Sequence, residues 1–411
     1  ELDMLLNKVK AGAVYADQGV IAGCAGGTFD NLCAAADIIG DRGIGTGAFA
    51  MSAYPASQPV FTALIGNGVI TKLLSSGVTV RSAFCGPCFG AGDVPSNGAF
   101  SIRHTTRNFP NREGSKPGNG QSAYVALMDA RSIAATALNG GRLTGADEIE
   151  ADYKKYPYTY HDELYKKRVY NGYGHPHPEE ELVLGPNIAD WPELHRMPDN
   201  LLIRLCSVIR DKVTTTDELI PSGETSTLRS NPYKLSEYAL SRKDPAYVGK
   251  SKAARAQQEL LDGGRQLDAQ YIKAAKELGA VIDGNIGIGS AIYANMPGDG
   301  SAREQAASCQ KVLGGWANIA LEYATKRYRS NLINWGMVPF IVSQETAQLF
   351  ETDDFIYIPG IKDAILSKAE RVKGYVLKDG PMEITLEIPS MTEDERDILV
   401  SGGLINYYSD K

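Results

Sequence analysis

The feature that most constrains the fold is an alternation of short apolar runs with helical patterns between Gly19 and about Gly140, with Gly and Pro at the breaks. Residues 49–56 and 78–84 have the pattern of strands, and residues 60–74 and 123–138 that of helices. Such alternation predicts a layered α/β domain with a largely parallel sheet. Since parallel strands end at a common edge, the chemistry is expected in the loops at that edge.

The composition changes after this region, which predicts more than one domain in a chain of 411 residues. Seven tyrosines lie between Tyr153 and Tyr173, and prolines, histidines and glutamates follow them. Apolar periodicity returns at Leu201 and continues to Lys411. We therefore expect a first domain over residues 1–150, a linker over 151–200 and a second domain over 201–411.

Charge and hydropathy narrow the class of protein. The 42 basic and 49 acidic residues give a net charge of −7, and the sequence has no run of basic residues that could bind a phosphate backbone. Both observations disfavour a nucleic-acid partner. The longest apolar stretches, such as residues 337–342, are far shorter than the roughly 18 residues of a membrane span. Six cysteines are too few for a disulfide scaffold, which favours a reducing compartment, either the cytoplasm or an organelle matrix.

Three of the cysteines follow predicted strands. Cys24 comes after an apolar run and before a predicted helix capped by Thr28, and Cys85-Gly-Pro-Cys88 follows residues 78–84. Three thiolates at two adjacent strand ends could converge on one point. A Cys-x-x-Cys pair also suits a dithiol or half a zinc site, but a second pair is absent. Three cysteines are one short of a fully held iron–sulfur cluster, which would leave one iron open as a Lewis acid.

Further motifs occur in a fixed order along the chain. They are Cys24 followed 61 residues later by Cys85-Gly-Pro-Cys88, then Arg107-Asn-Phe-Pro-Asn-Arg112, Thr214-Thr-Thr-Asp217 with Arg229 twelve residues on, and Gly298-Asp-Gly-Ser301-Ala-Arg303. This series resembles the aconitase and isopropylmalate isomerase family of hydro-lyases. Four separated motifs in the same order make the resemblance far more specific than one glycine pattern would.

The resemblance implies a fold and an organisation. The implied architecture is a three-layer α/β/α domain that binds the cluster, over residues 1–150, joined by the linker to a swivelling C-terminal β/α domain over residues 201–411. The chain is similar to the C-terminal half of an aconitase. The remaining aconitase-like domains are then expected in the same protein or in a partner chain, and the isolated chain is expected to bind little cluster in air and to be inactive.

The resemblance also implies roles for single residues. Cys24, Cys85 and Cys88 would ligate a [4Fe–4S] cluster, and Ser301 would be the catalytic base. The carboxylate-binding side chains of a di- or tricarboxylate substrate would be Arg107, Arg112, Arg229 and Arg303. Read without the resemblance, Ser301 would only cap a helix that begins near Ala302, and each arginine could form a surface ion pair.

Several departures from the family pattern point to a divergent branch with an unassigned hydratase reaction. Ala25-Gly26-Gly27 replaces a polar triplet, Ala302 a serine, Thr106 an asparagine and Glu218 a histidine. An isopropylmalate- or methylcitrate-type substrate, or a non-catalytic regulatory protein, are the alternatives to an aconitate hydratase. His175 and His177 suit an exposed, solvated pair better than a metal site, and His104 suits a packed residue.

Overall fold

Strands and helices alternate through the computed structural model, which describes residues 5–45, 47–90, 92–106, 120, 122–221 and 225–411. The strands are β1 Val9–Lys10, β2 Ala13–Val14, β3 Gln18–Ile21, β4 Ala50–Ala53, β5 Thr79–Val80, β6 Phe100–His104, β7 Tyr124–Leu127, β8 Asn200–Ile209, β9 Thr214–Thr215, β10 Ile286–Ala294, β11 Pro297–Asp299, β12 Gly315–Ala320, β13 Val338–Ile341, β14 Phe355–Ile358, β15 Arg371–Leu377 and β16 Pro381–Glu387.

The helices complete the list of elements. They are α1 Gly23–Gly26, α2 Phe29–Ile39, α3 Gln58–Gly66, α4 Val69–Ser75, α5 Gly86–Phe89, α6 Ala130–Leu138, α7 Glu163–Lys166, α8 Thr216–Leu219, α9 Pro232–Ser236, α10 Tyr247–Asp262, α11 Ala269–Leu278, α12 Arg303–Val312, α13 Lys326–Asn334, α14 Gln344–Leu349, α15 Ile361–Leu366, α16 Glu393–Val400 and α17 Leu404–Ser409. The chain divides into two compact units, Glu1–Glu180 and Glu181–Lys411.

The first unit is built on a five-stranded sheet in the order β5-β4-β3-β6-β7. All four neighbouring pairs are parallel, which confirms the predicted mixed α/β fold with a parallel sheet. The chain moves outward from β3 to β5 and then returns to β6 on the other side of β3. The strand order therefore reverses between β3 and β6, and open α/β sheets bind ligands beside the carboxyl ends of the strands at such a reversal.

The two faces of this sheet differ in chemistry. Helices α2, α3, α4 and α6 share one apolar cluster with strand side chains such as Ile21, Met51 and Ile102. Neighbouring strand residues point to the opposite face, where Val20 forms only a small cluster with Ala22 and Tyr54. The described helices thus cover one face of the sheet, and the other face carries buried polar groups.

Local signals set some boundaries as expected and others differently. Thr28 caps α2, since its side chain accepts a hydrogen bond from the Asn31 amide, as predicted. The helix expected over residues 123–138 begins only at Ala130, because residues 124–127 pair with β6 and Asp129 caps α6 by accepting from two amides. The helix expected over residues 60–74 is split at Gly68, whose φ of +83° is left-handed.

The strand expected over residues 78–84 is also shorter than predicted. Only Thr79 and Val80 pair with β4. The residues after Val80 leave the edge of the sheet to return toward β6, so they have no neighbouring strand to bond to.

The tyrosine-rich segment has little regular structure, with α7 as its one helix among residues 151–198. Its start packs onto the first unit. The Lys154 amide and the Tyr156 hydroxyl both donate to the buried Asp37 carboxylate, at 3.0 and 2.7 Å. Nearly all the side chains of residues 165–184 are exposed, Tyr173 to 92%. The exposed part of this segment, residues 165–184, is thus shorter than the predicted linker of residues 151–200.

The second unit contains a closed seven-stranded barrel in the order β10-β12-β13-β16-β15-β14-β8. Strands β8, β10, β12 and β13 are parallel neighbours, and the β13–β16, β16–β15, β15–β14 and β14–β8 pairs are antiparallel. One apolar cluster takes side chains from all seven strands, among them Tyr293 and Phe340. Closure removes the exposed sheet edges. No helix among the described residues is long and apolar enough to cross a bilayer.

Candidate active site

Cys24 lies where the strand order of the first unit reverses. Strand β3 ends at Ile21, and the chain turns directly into the short helix α1 that carries Cys24. The Cys24 sulfur is 3.2 Å from the hydroxyl oxygen of Thr106, which follows the neighbouring strand β6. The exposed Cys24 side chain therefore stands at the carboxyl ends of β3 and β6, the place where open α/β sheets bind ligands.

Helix α1 sits so close to β6 that a side chain would not fit at Gly26. A Cβ atom there would come within 1.8 Å of the His104 carbonyl oxygen. The amide of Ala22 donates to the same oxygen at 3.1 Å. Gly26 within this departure thus has a steric reason, because the backbone there approaches its neighbour too closely for any side chain.

Cys85 and Cys88 belong to a short turn that leaves β5 and comes back toward β6. Cys85 immediately precedes α5 and Cys88 lies within it. The expectation of two adjacent strand ends is wrong, because β4 separates β5 from β3. The cysteine segments nevertheless meet, since α1 and α5 are in contact. The returning loop, rather than strand order, brings Cys85 and Cys88 toward Cys24.

The donor chemistry of this turn suits an iron–sulfur cluster. All six cysteines are free, and Cys24 and Cys85 are exposed while Cys88 is buried. Among the described residues, no three His, Cys, Asp or Glu side chains stand close enough to hold one metal ion. In a cubane cluster each thiolate binds a different iron, so the three sulfurs stand farther apart than the ligands of a single ion. Three thiolates on two touching turns fit that requirement in donor type and number.

Polar side chains that the sequence analysis did not predict connect the loop of Cys85 and Cys88 to the sheet by hydrogen bonds. The fully buried Arg103 of β6 donates to the carbonyl of Pro87, between the two cysteines. Ser52 and Tyr54 donate to the carboxylate of Asp93 in the same loop. A charged residue inside an apolar strand is the one sequence signal that could have identified this network.

In the second unit the structure brings two separated motifs together. Strand β9 pairs in parallel with β11, with Thr214 beside Pro297 and Thr215 beside Asp299. These short strands follow β8 and β10, so they lie beyond the carboxyl ends of two barrel strands. The buried Thr216 hydroxyl accepts from the Ala302 amide at 3.2 Å. Thr216 thus positions the turn that carries Ser301.

This turn is tightly built around Gly300. Its φ is +123°, and a Cβ atom would come within 2.3 Å of the Thr216 hydroxyl oxygen. Ser301 follows, half-buried, two residues before the first residue of α12. The residue at the cap position is Ala302, and no side chain caps this helix. Ser301 is therefore not the helix cap, which leaves its hydroxyl available for chemistry.

The predicted arginines have different environments. Arg303 is half-buried in the first turn of α12. Arg229 is exposed, directly after a 3-10 turn and just before α9, which packs on α12. The structure thus brings the Arg229 segment toward the helix of Arg303. Arg107 and Arg112 lie outside the described residues.

One other departure, Glu218, and the histidines also have defined environments in the structure. Glu218 forms a capping box, in which its carboxylate accepts from the amide and hydroxyl of Thr215 at 2.8 and 2.9 Å. His104 accepts from the Ala130 amide at 3.1 Å and so caps α6. Burial lowers the pKa of His104, which keeps the ring neutral and able to accept. His175 and His177 are both exposed.

The first unit defines a class of protein, the α/β proteins with a parallel sheet, and it carries cysteines on turns beside the reversal of strand order. Comparison with known proteins shows which family this part of the chain resembles. Residues 3–140 match the model of the aconitase family (aconitate hydratase). This part of the chain, about a third of its length, is similar to the aconitase family.

Curated relatives match about a third of the chain. A probable 3-isopropylmalate dehydratase large subunit of Methanosarcina mazei is 31% identical over 125 residues, which are 30% of this chain and 28% of the relative. A probable methanogen homoaconitase large subunit of Methanothermobacter thermautotrophicus is 32% identical over 128 residues, 31% of this chain and 28% of the relative. The chain thus covers less than a third of the length of each of these relatives.

Among solved structures, the crystal structure of 3-isopropylmalate dehydratase (leuD) from Methanocaldococcus jannaschii is 24% identical. It covers 51% of this chain and 94% of its own, with a TM-score of 0.32. A likeness at this TM-score decides neither fold nor function.

Proposed function

We propose that the chain works in an aconitase-type hydro-lyase, which removes water from a hydroxy di- or tricarboxylate and adds it back. The observation that carries this proposal is the meeting of α1 and α5 beside β6. It groups the turns of Cys24, Cys85 and Cys88 within the segment that matches the family. The match covers a third of the chain, so the activity of the whole protein is inferred from this site.

Cys24, Cys85 and Cys88 would hold a [4Fe–4S] cluster. When bound, such a cluster supplies one iron without a protein thiolate, a Lewis acid for the substrate hydroxyl. Cys24 and Cys85 are exposed, whereas Cys88 is buried. The Thr106 hydroxyl can donate to the Cys24 thiolate and stabilise its charge.

Residues of the second unit would supply the base and the anion-binding groups. Ser301 would accept the proton from the carbon that loses hydrogen, once neighbouring donors stabilise its alkoxide. Arg229 and Arg303 would pair with substrate carboxylates through bidentate forks, together with Arg107 and Arg112. The support for these roles is the convergence of the Thr214–Asp217, Arg229 and Gly298–Arg303 segments around α12.

We also propose the domain assignment that this function needs. Residues 1–150 would be the cluster-binding domain, completed to three layers by a second helical layer on the polar face of its sheet. Residues 201–411 would be a swivelling domain that closes over the site, and residues 151–200 the linker. Limited proteolysis tests the boundary, with first cleavage expected within residues 165–184, where the side chains are exposed. A first cut inside the barrel strands would contradict it.

An isopropylmalate-type substrate is the second candidate. Relatives that match this chain are named 3-isopropylmalate dehydratase and 2,3-dimethylmalate dehydratase large subunits. Such substrates replace one carboxylate-bearing arm of citrate by an alkyl group. They therefore need fewer cationic partners and more apolar contact than citrate does.

Turnover by the full-length protein is the decisive experiment. The protein is reconstituted anaerobically with iron and sulfide, and citrate, methylcitrate and isopropylmalate are compared by the ultraviolet absorbance of the unsaturated acid. Turnover of any one supports the hydro-lyase and identifies its substrate class. A cluster-loaded protein that turns over none favours the non-catalytic alternative, and a protein that binds no cluster refutes the proposal.

A further inference from the structure

The polar face of the first unit's sheet buries a complete positive charge. Arg103 lies in β6 with no exposed surface. A guanidinium cannot lose its proton in a protein, so its burial is costly unless hydrogen bonds replace the lost water. Its partners therefore show what the residue is for.

Arg103 connects the sheet to the loop above it. On the sheet side its Nε donates to the Ser101 hydroxyl at 2.8 Å, and its Nη2 to the Gln18 side-chain oxygen at 3.2 Å. On the loop side Nη1 donates to the Pro87 carbonyl at 3.3 Å, and Nη2 to the Asp93 carbonyl at 2.6 Å. One rigid fork thus holds two points of the loop, one inside the Cys85–Cys88 turn and one beyond it.

The Asp93 side chain fixes the same loop a second time. Its carboxylate accepts from the Ser52 hydroxyl at 2.8 Å and from the Tyr54 hydroxyl, both on the adjoining part of the sheet. Burial, and after it the bond to Asp93, raises the pKa of Tyr54 to about 12, so the phenol stays protonated and donates. Asp93 has a φ of +47°, an uncommon conformation for this residue type that these contacts hold in place.

We propose that Arg103 is a positioning residue for the cluster ligands, which holds Cys85 and Cys88 at a set distance from Cys24. The inference rests on the proposed function, since it assumes that these cysteines bind a cluster. Strand β6 supports both cysteine segments, because Arg103 bonds to the Pro87 carbonyl and Thr106, three residues later, contacts the Cys24 sulfur. A buried charge is weak evidence of stabilisation, and a hydrophobic residue of similar volume often stabilises as well. What Arg103 adds here is a fixed arrangement of hydrogen bonds to two carbonyls of the loop.

The test compares Arg103→Met, Arg103→Lys and the exposed control Arg131→Met in the full-length protein. Iron and sulfide per chain and visible absorbance are measured after anaerobic reconstitution, together with the rate of iron loss. Supporting partners of metal ligands typically change affinity by about 10–100-fold. We expect Arg103→Met to weaken cluster retention by about tenfold or more. Arg103→Lys should restore part of it, since one ammonium cannot bond to both loop carbonyls with the same geometry.

A second readout needs no cluster. In the reduced, cluster-free protein, alkylation of each cysteine is followed by mass spectrometry, with Cys33 and Cys309 as buried internal standards. Loosening the turn should raise the alkylation rate of the buried Cys88 in Arg103→Met and leave Cys33 and Cys309 unchanged. Should Arg103→Met fail to fold, Tyr54→Phe removes one hydroxyl donor to Asp93 while Ser52 remains, and it should change both readouts in the same direction. Tyr124→Phe, on the neighbouring strand β7, is its matched control.

The outcomes separate the two hypotheses. A wild-type protein that binds no cluster refutes the proposed function, and the alkylation rates still decide whether Arg103 positions the turn. A folded Arg103→Met protein with unchanged cluster retention and unchanged Cys88 alkylation overturns the positioning role. Equal effects in Arg131→Met would also overturn it.

Discussion

The two units differ in the surroundings that they provide for a buried basic side chain. In the first unit Arg103 is held by four hydrogen-bond acceptors beneath the cysteine turn. In the second unit Lys311 is buried against the Trp316 ring at 4.0 Å and donates to the Gly336 carbonyl at 3.3 Å. No carboxylate among the described residues forms an ion pair with it. A buried arginine keeps its charge and needs hydrogen-bond acceptors from the protein, whereas a buried lysine can lose its proton and become neutral.

This difference follows from the two architectures. The open sheet of the first unit has helices on one face, which leaves the other face free to hold a polar network around the loop. The barrel of the second unit is closed and its strands bury apolar side chains, so a charge placed beside it finds few partners. We expect hydrogen bonds to set the geometry of the site in the first unit, and packing and helix position to set it in the second.

The largest expected effect is on the sulfur ligands. Cys24→Ser, Cys85→Ser and Cys88→Ser in the reconstituted full-length protein should each abolish the broad iron–sulfur absorbance, because each removes one of the proposed thiolates. Cys33→Ser, Cys206→Ser and Cys309→Ser are the matched controls, since these cysteines are buried elsewhere. Loss of the absorbance in the control set alone would mean that the cluster is bound elsewhere.

The next effect concerns the proposed base in the second unit. Ser301→Ala should lower kcat by about 10²–10⁴-fold with little change in KM, as expected for a group that moves a proton in the transition state. Steady-state kinetics on the identified substrate measures this. Ser308→Ala, on the same helix α12, should leave kcat close to that of the wild type. An unchanged kcat in Ser301→Ala would remove Ser301 as the base.

A smaller effect tests the buried lysine of the barrel unit. Burial lowers the pKa of Lys311 to about 7 from its usual 10.5. Between these values the unfolded chain binds the proton and the folded chain does not, so stability rises with pH over this window. Below about pH 7 both the folded and the unfolded chain bind the proton, so the folded state bears the full free-energy cost of burying the charged ammonium. From this group the free energy of unfolding should rise by up to about 1.4 kcal/mol per pH unit between about pH 7 and pH 10.

Denaturant unfolding from pH 6 to pH 10 measures this dependence. Lys311→Met should be more stable than the wild type at pH 6, and the advantage should shrink toward pH 10. Lys326→Met, at an exposed position, should keep the wild-type dependence. If Lys311→Met showed the same pH dependence as the wild type, burial would not control the protonation of Lys311.

The smallest effect should come from the hydroxyl beside Cys24. Thr106→Val keeps the shape of the side chain but removes the hydrogen bond to the sulfur, worth about 1 kcal/mol. We expect the cluster to form and its reduction potential to shift slightly, as measured by redox titration. Thr105→Val, one residue away, is the control. A loss of cluster as large as that in Cys24→Ser would show that Thr106 does more than tune the sulfur.

A structural feature could be predicted from the sequence when the residues that form it are close together along the chain. The cap of α2 was predictable because Thr28 and its partner Asn31 are three residues apart. Strand β7 was not, because residues 124–127 form a short apolar run that suits either a helix or a strand. Pairing with β6, with Phe100 beside Tyr124, decided it. The Ser301 turn was recognisable as a motif, but its contact with Thr216 joins residues far apart in the chain.

The sequence by itself determined the α/β alternation of the first unit, the cysteine spacing and the resemblance to the aconitase family, because these are patterns of residue type along the chain. Only the tertiary structure decided that the β5 loop returns to β6 and that Arg103 holds it there. The acceptors that Arg103 uses in the loop are the main-chain carbonyls of Pro87 and Asp93. Every residue carries such a carbonyl, so no residue type marks these two, and only the folded backbone shows which ones face a buried charge.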